Sequence, residues 1–486
     1  RDKAIELYQG VITEDDESAD SLQARNKLAL LYLTGDQREQ ADALLAEIFT
    51  IEPENVEALI TNAKLLINEK QYTVAIANLR TVLRSQPDSV EGLLLLGQAY
   101  EKDGSSSLAL DNYRRLLALD PSNQEALYSS AKMAIAQDEQ ASAEQLLKTL
   151  LQKKPDHAEA RRLLVSLLSK QQRWDEALNN VDVLLTNPTT LAAGYYLQGL
   201  VYSSQSDYPA AIESLQRALK EEPGIIEALS FLASAFTASN REKEGMDFLV
   251  NHVKNYPKHA HANELLGAYH HNNGRYAEAL VSYRAAIALL PTRSSVYRRM
   301  GALHISQGQW QQAEETFQQG IDSIADNDGL YLLLAGVYSL TGDYQSARGV
   351  YESLLAERPG MQQVANNLAV ILVDYMPSDE NLRKALELTE PLRDSRSPAF
   401  LDTLGWVNFK LGNTSRALSL LETSVALGGN GPQYHYHLGM AYFRESQPEQ
   451  ARKHLEIAVS GNAEAYIGRD EAQLTLEAIR SAVPRG

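Results

Sequence analysis

The stretch Val90-Glu91-Gly92-Leu93-Leu94-Leu95-Leu96-Gly97-Gln98-Ala99-Tyr100 decides the fold. Its apolar residues recur at helical spacing, and Asp103-Gly104 supplies a turn that stops it. A second helical stretch follows, with Ala109, Tyr113 and Leu116 on one face at spacings of four and three. Asp120-Pro121-Ser122-Asn123 then ends that helix and opens another. Proline is excluded from a helix interior, and Ser or Asn caps the free N–H groups of the next helix. The unit is therefore helix A, tight turn, helix B, tight turn.

The same punctuation repeats along the chain. Pro53, Pro87, Pro121 and Pro155 stand 34 residues apart, and Pro223, Pro257, Pro291 and Pro359 keep the phase. A strict period of this length marks one supersecondary unit stacked many times. Counting from Leu22, the eighth position of successive units is nearly always small, as in Ala29, Ala63, Gly97, Ala131, Gly199, Gly267 and Gly301. The twentieth is almost invariably alanine, from Ala41 and Ala75 to Ala313 and Ala347. Small residues at these points let helices A and B approach to about 8 Å between axes. Ten such units occupy residues 22–361 without insertion or deletion, after a partial repeat (helix B and a loop) in 1–21. Three units of altered spacing follow in 362–466, starting near Gln362, Pro398 and Pro432. The first has a longer A–B turn around Met376-Pro377-Ser378-Asp379, and residues 467–486 form a capping helix and tail. The change of phase near Met376 marks the place where a specialised docking surface is expected.

Composition narrows the function. A formal net charge of −18 argues against nucleic acid or anionic lipid as a general partner. The chain has no cysteine, which excludes disulfides, thiolate metal sites and a cysteine nucleophile. No apolar run is long enough to span a bilayer, so membrane association is expected only through an anchor preceding Arg1 or through a partner. No phosphate-binding glycine loop, nucleophile elbow or zinc-protease motif is present, so no enzyme and no cofactor is expected. His270 and His304 fall at the eleventh position of their units, where tyrosine stands elsewhere, and read as packing residues rather than metal ligands. His435 and His437 are two apart, which points them to different sides of a helix. Glu57, Glu91, Glu125, Glu159 and Glu227 recur at the second position, where a carboxylate steadies a helix N-terminus.

This pattern resembles the tetratricopeptide repeat family, through Leu96-Gly97-x-x-Tyr100, Ala109, Tyr113 and Pro121 at the family's signature spacing. The resemblance implies an all-α fold: a right-handed α-solenoid of about thirteen helix–turn–helix units plus a C-terminal capping helix. It also implies a concave wall of A helices, lined by the second, fifth, ninth, twelfth and thirteenth positions. On that basis the expected ligand- or partner-binding residues are Tyr128, Arg162, Tyr196, Arg298 and Tyr436 (fifth), Lys132 and Trp406 (ninth), His271 (twelfth) and Lys170 (thirteenth). Tyrosine alternating with Arg or Lys suits a peptide or a hydroxyl-rich, acidic polymer such as a polysaccharide. The family's carboxylate clamp is not reproduced, because Arg162 is followed by Ser166 and Arg298 by Ala302 where asparagine is needed. A second resemblance runs through Asn366-Asn367-Leu368-Ala369, Asp402-Thr403-Leu404-Gly405-Trp406 and His435-Tyr436-His437-Leu438-Gly439-Met440-Ala441-Tyr442. This series is similar to the C-terminal repeats of bacterial PEP-CTERM/exosortase-associated lipoproteins found with exopolysaccharide export systems. It implies a periplasmic or envelope-anchored scaffold that binds protein partners of such a complex. The alternative is a cytoplasmic adaptor that binds peptide segments.

Overall fold

The computed structural model describes residues 1–12, 17–35, 37–325, 327–460 and 466–482. Among them regular structure is entirely helical, and the chain falls into two compact units, Arg1–Gly245 and Met246–Gly486. The division lies inside the stretch of unbroken period rather than at Met361.

In the first unit, A helices such as Val90–Asp103, Gln124–Ala136, Ala158–Lys170 and Leu191–Ser204 alternate with B helices such as Ser106–Leu119, Gln140–Lys153, Trp174–Leu185 and Tyr208–Glu221. The second unit repeats this arrangement, from the pair Ala260–Asn272 and Tyr276–Leu289 to Pro432–Arg444, Pro448–Val459 and the last helix Arg469–Ala482. Within each unit successive helices pack on one another, and most A helices also meet the next A helix. This nearest-neighbour packing is that of a solenoid.

The small eighth residue works by facing a large residue on its own helix B. A Cβ on Gly97 would lie 2.5 Å from a ring carbon of Tyr113, and one on Gly267 2.6 Å from Tyr283. A leucine takes the ring's place opposite Gly199, Gly405 and Gly439, at 2.5, 2.7 and 2.8 Å. The twentieth-position alanines Ala75, Ala109, Ala143, Ala211, Ala279 and Ala313 are wholly buried at the same junction. Both positions exist to bring two backbones together over one large side chain.

The A–B turns share a device. The fifteenth residue of the unit is left-handed: Lys70, Asp138, Gln172, Ser206, Asn240 and Ser446 have φ of 55–63°, and Gly104, Gly274, Gly308, Gly342 and Gly412 take the same place. A left-handed residue just past a helix lets the following N–H groups satisfy its last carbonyls. The unit starting at Gln362 lacks it, since Met376 has φ −130°. Its A helix Gln362–Val370 instead runs on as a π-helical turn, Ile371–Tyr375, before the B helix Asp379–Thr389. That wider turn accounts for the altered spacing.

Helix starts follow the expected capping, with Asn55 and Ser89 accepting from the N–H groups of Ala58 and Gly92 at 3.0 and 3.2 Å. His157 and His259 do the same through Nδ1, to Ala160 at 3.3 Å and Ala262 at 3.1 Å. His270 and His304 are buried among the helices, where tyrosine packs elsewhere. One acid lies deep in the second unit. Glu264 is held by Arg293, by Arg299 at 3.3 Å and by His261 at 3.4 Å. Burial pushes its carboxyl up, but hydrogen bonds from His261, Arg293 and Ser295, with the Arg293 charge, overcome that and bring it down to about 2.

Candidate functional site

The expected residues lie on the A helices or at their C-terminal ends, and the structure sorts them into three groups. In the first unit, half-buried Tyr128 stacks on His157, with ring centroids 5.3 Å apart. Lys132 sits 5.9 Å over the Tyr128 ring and pairs with Glu101 at 3.1 Å. Exposed Arg162 neighbours half-buried Tyr196 on the next A helix. Burial and then Glu227 push the Tyr196 phenol up, and Arg162 opposes them. Tyr196 also leans on the exposed ring of Phe231, 6.3 Å away. Lys170 pairs with Asp138 at 3.5 Å and borders a depression of about 680 Å³ that Trp174 and Phe231 also line. The hydroxyls of Ser169 and Ser203 are buried in its wall without a hydrogen-bond partner. Ion pairs as exposed as these contribute about 0–1 kcal/mol, so an incoming ligand can displace them.

In the second unit His271 is half-buried, edge-on to Tyr276 at 5.9 Å, and Arg298 is exposed. The second-position carboxylates reach toward the preceding A helix: Glu91 pairs with Lys64 at 2.6 Å, and Gln98 donates to Glu125.

Trp406 and Tyr436 correct the expectation that they present a groove surface, because they are 2% and 1% exposed. The following A helix and the capping helix pack over them. Trp406 is stacked between Phe409 at 4.8 Å and His437 at 4.0 Å. Tyr436 is covered by Tyr466 at 5.7 Å and donates its hydroxyl to Glu471 of the capping helix at 2.6 Å.

Beside this aromatic stack lies a cavity of about 160 Å³. Its walls come from the Gln362–Val370 helix with its π-helical extension, Pro398–Lys410 and Pro432–Arg444, all A-side elements. The π turn carries Asp374 to the wall, where Oδ1 accepts the Trp406 indole N–H at 2.8 Å. Burial pushes the Asp374 carboxyl up, against His437, the Trp406 N–H and Lys410, which lower it. Asp402 Oδ2 and His437 Nδ1 are 2.9 Å apart, an ion-paired hydrogen bond when the ring is protonated. Asp402 Oδ1 and Asn366 Oδ1 are buried with no partner. An orphaned buried acceptor costs about 1–3 kcal/mol, and two in one cavity mark a place prepared for donors.

Sequence reasoning put Trp406 on the open groove surface and missed Asp374, Asp402, Asn366 and His437 as a group. The signal for Asp402 was an acid at a fifth position, where other units carry tyrosine or arginine. Asp374 carried no signal in the 34-residue register, because the π turn moves it out of that register. His435 and His437 do point apart, His435 toward His454 at 2.9 Å and His437 toward Asp402. Among the described residues no group of three or more His, Asp or Glu is arranged to hold a metal, and no helix is long and apolar enough to cross a membrane.

The family-model matches agree with this architecture. Family models described as tetratricopeptide repeat match residues 60–124, 94–158, 196–249 and 403–467, 134–188 and 271–337, and 330–365. No curated protein matches the chain. Solved structures similar to it include a tetratricopeptide repeat protein from Parabacteroides merdae, at 16% identity over 51% of this chain and 98% of that one, TM-score 0.38. Yeast Tom70 aligns at 17% identity over 88% and 96% of the two chains, TM-score 0.35. A Pseudomonas aeruginosa pilF structure aligns at 18% identity over 44% and 98%, TM-score 0.37. With matched models together covering most of its length, and with the small eighth and twentieth positions seated against their partner helices as described, the chain belongs to the tetratricopeptide repeat family.

Proposed function

We propose that this chain is a non-enzymatic scaffold that binds an extended protein segment along its A-helix faces and helps assemble a bacterial envelope complex for exopolysaccharide export or protein sorting. The observation that carries the binding role is the row of solvent-facing residues on successive A helices, Tyr128, Arg162, Tyr196 and Phe231, beside the depression bordered by Lys170. An extended segment can touch each A helix in turn, whereas a compact ligand would meet only one or two. The envelope assignment rests on the C-terminal motifs that resemble exopolysaccharide-export lipoproteins; Asn366, Asp402, Trp406 and His437 of those motifs line one cavity.

The test is affinity capture after crosslinking in cells, with wild type and the double variant Arg162→Ala/Tyr196→Ala, coupled to fractionation of cytoplasm and envelope. We expect envelope proteins to be recovered with wild type and to be depleted severalfold with the variant. Recovery of the chain and its partners wholly from the cytoplasm overturns the envelope assignment in favour of a cytoplasmic adaptor. Undiminished capture by the variant overturns the role of these residues. Titration of an acidic exopolysaccharide reads the polymer alternative directly, through the same pair of proteins.

A further inference from the structure

We propose that the cavity between residues 366 and 437 is a socket for an arginine side chain of the bound segment; this deepens the scaffold reading and rests on it. Two buried acceptors, Asn366 Oδ1 and Asp402 Oδ1, stand in its wall with no hydrogen-bond partner. Asn366 is 5% exposed and Asp402 8%. The second oxygen of Asp402 faces His437 Nδ1 at 2.9 Å, and Asp374 accepts from Trp406. The two carboxylates are thus fixed in place while one face of the cavity remains rich in acceptors. A guanidinium carries five N–H donors in a planar fork and no acceptor, so it matches separated acceptors in a way that an ammonium does not. The volume of about 160 Å³ admits a side-chain head and not a folded surface. Trp406 offers no open platform for a sugar ring, because its indole already stacks on Phe409 and His437 and lies under Lys410 Nζ. Lys410 does not fill the role: its Nζ lies 4.4 Å over the Trp406 ring and reaches neither orphaned oxygen. The entrance is set by exposed Ala399 and half-buried Gln433 and Tyr434.

The experiment titrates the full chain with N-acetyl-arginine methylamide, and with its uncharged isostere N-acetyl-citrulline methylamide and glucuronic acid as controls, by calorimetry. We expect millimolar binding of the arginine compound and at least about tenfold weaker binding of the citrulline one, the loss of a charged donor pair being about 1.4 kcal/mol or more. Asp402→Asn should weaken arginine binding about tenfold. Ala399→Trp, at an exposed position that the fold tolerates, should block it with the thermal melt unchanged, which covers the case in which Asp402→Asn disturbs folding. Equal binding of arginine and citrulline, indifference to Ala399→Trp, or binding of glucuronic acid alone overturns the socket. Because the small compounds need no partner, loss of arginine preference with partner capture intact sinks only the socket. Retained arginine binding with no partner captured sinks only the scaffold.

Discussion

Acidification should open the C-terminal repeats, and His454 gives the magnitude. Its ring stacks on those of His435 and Tyr442, at 5.1 and 5.6 Å, and its Nδ1 lies 2.9 Å from that of His435. One proton can serve that contact; two cannot. Burial first, then His435 and Lys453, depress His454 to about 4, with Glu422 opposing. Burial and then Lys453 lower His435 as well. Because the folded value lies below the ordinary 6.5, the neutral pair stabilises fully above pH 6.5, and this contribution is lost as the pH falls toward 4. For His454 alone the loss from pH 8 to pH 5 works out at about 2 kcal/mol, or about thirtyfold in an opening equilibrium. Hydrogen exchange by mass spectrometry, corrected for intrinsic rates, should show that decline in protection in Pro432–Arg444 and Pro448–Val459, and His454→Phe should remove most of it. A decline of equal size in wild type and His454→Phe would refute the reasoning, since the proton would then be binding elsewhere.

Three further outcomes follow from packing and charge. Arg293→Ala leaves Glu264 as a buried carboxylate that has lost a main partner, and should destabilise the second unit by about 3–5 kcal/mol in calorimetric melts at pH 7. The deficit should shrink below pH 4.5, because the wild-type carboxyl, held near 2, itself loses its advantage as the pH falls from 4.5 toward 2. Gly301→Ala places a Cβ 2.2 Å from the Phe317 ring and should cost about 1–3 kcal/mol, with Phe317→Leu in the same chain restoring part of the loss in urea titrations. Trp406→Phe removes the indole N–H from Asp374 and should cost about 1–3 kcal/mol, less when combined with Asp374→Asn, read by thermal melts.

The fold was legible because it is written redundantly. Gly97, Ala109, Tyr113 and Pro121 each repeat at fixed intervals, so one unit read correctly is the whole array read correctly. Solvent exposure at the fifth position was legible for Arg162 and Arg298, because register fixes which face of the helix a position occupies. Register fails where neighbours close over a face. Tyr436 stands at the same position as Tyr128 and Tyr196, yet Tyr466 and, through Glu471, the capping helix cover it. It fails again where one helical turn widens, and the 34-residue count then gives no hint that Asp374 meets Trp406. The cavity is a product of three successive A-side elements and one irregular turn, and no single stretch of sequence contains it.

The left-handed turn residues carry a consequence for how the protein yields under load. Lys70, Gln172 and Ser206 sit in a conformation that costs a residue with a Cβ roughly 1 kcal/mol, and Asp138 and Asn240 somewhat less. Among the described residues these five lie in Arg1–Gly245, with Ser446 the one such residue in Met246–Gly486, and all the turn glycines but Gly104, namely Gly274, Gly308, Gly342 and Gly412, make the same turn without that cost in Met246–Gly486. In an array where each repeat leans only on its neighbours, such small differences decide where unzipping begins. On this count the N-terminal repeats hold more local backbone strain and are the first expected to yield. The glycine-hinged repeats of Met246–Gly486, among them the one that carries Trp406, are expected to yield later.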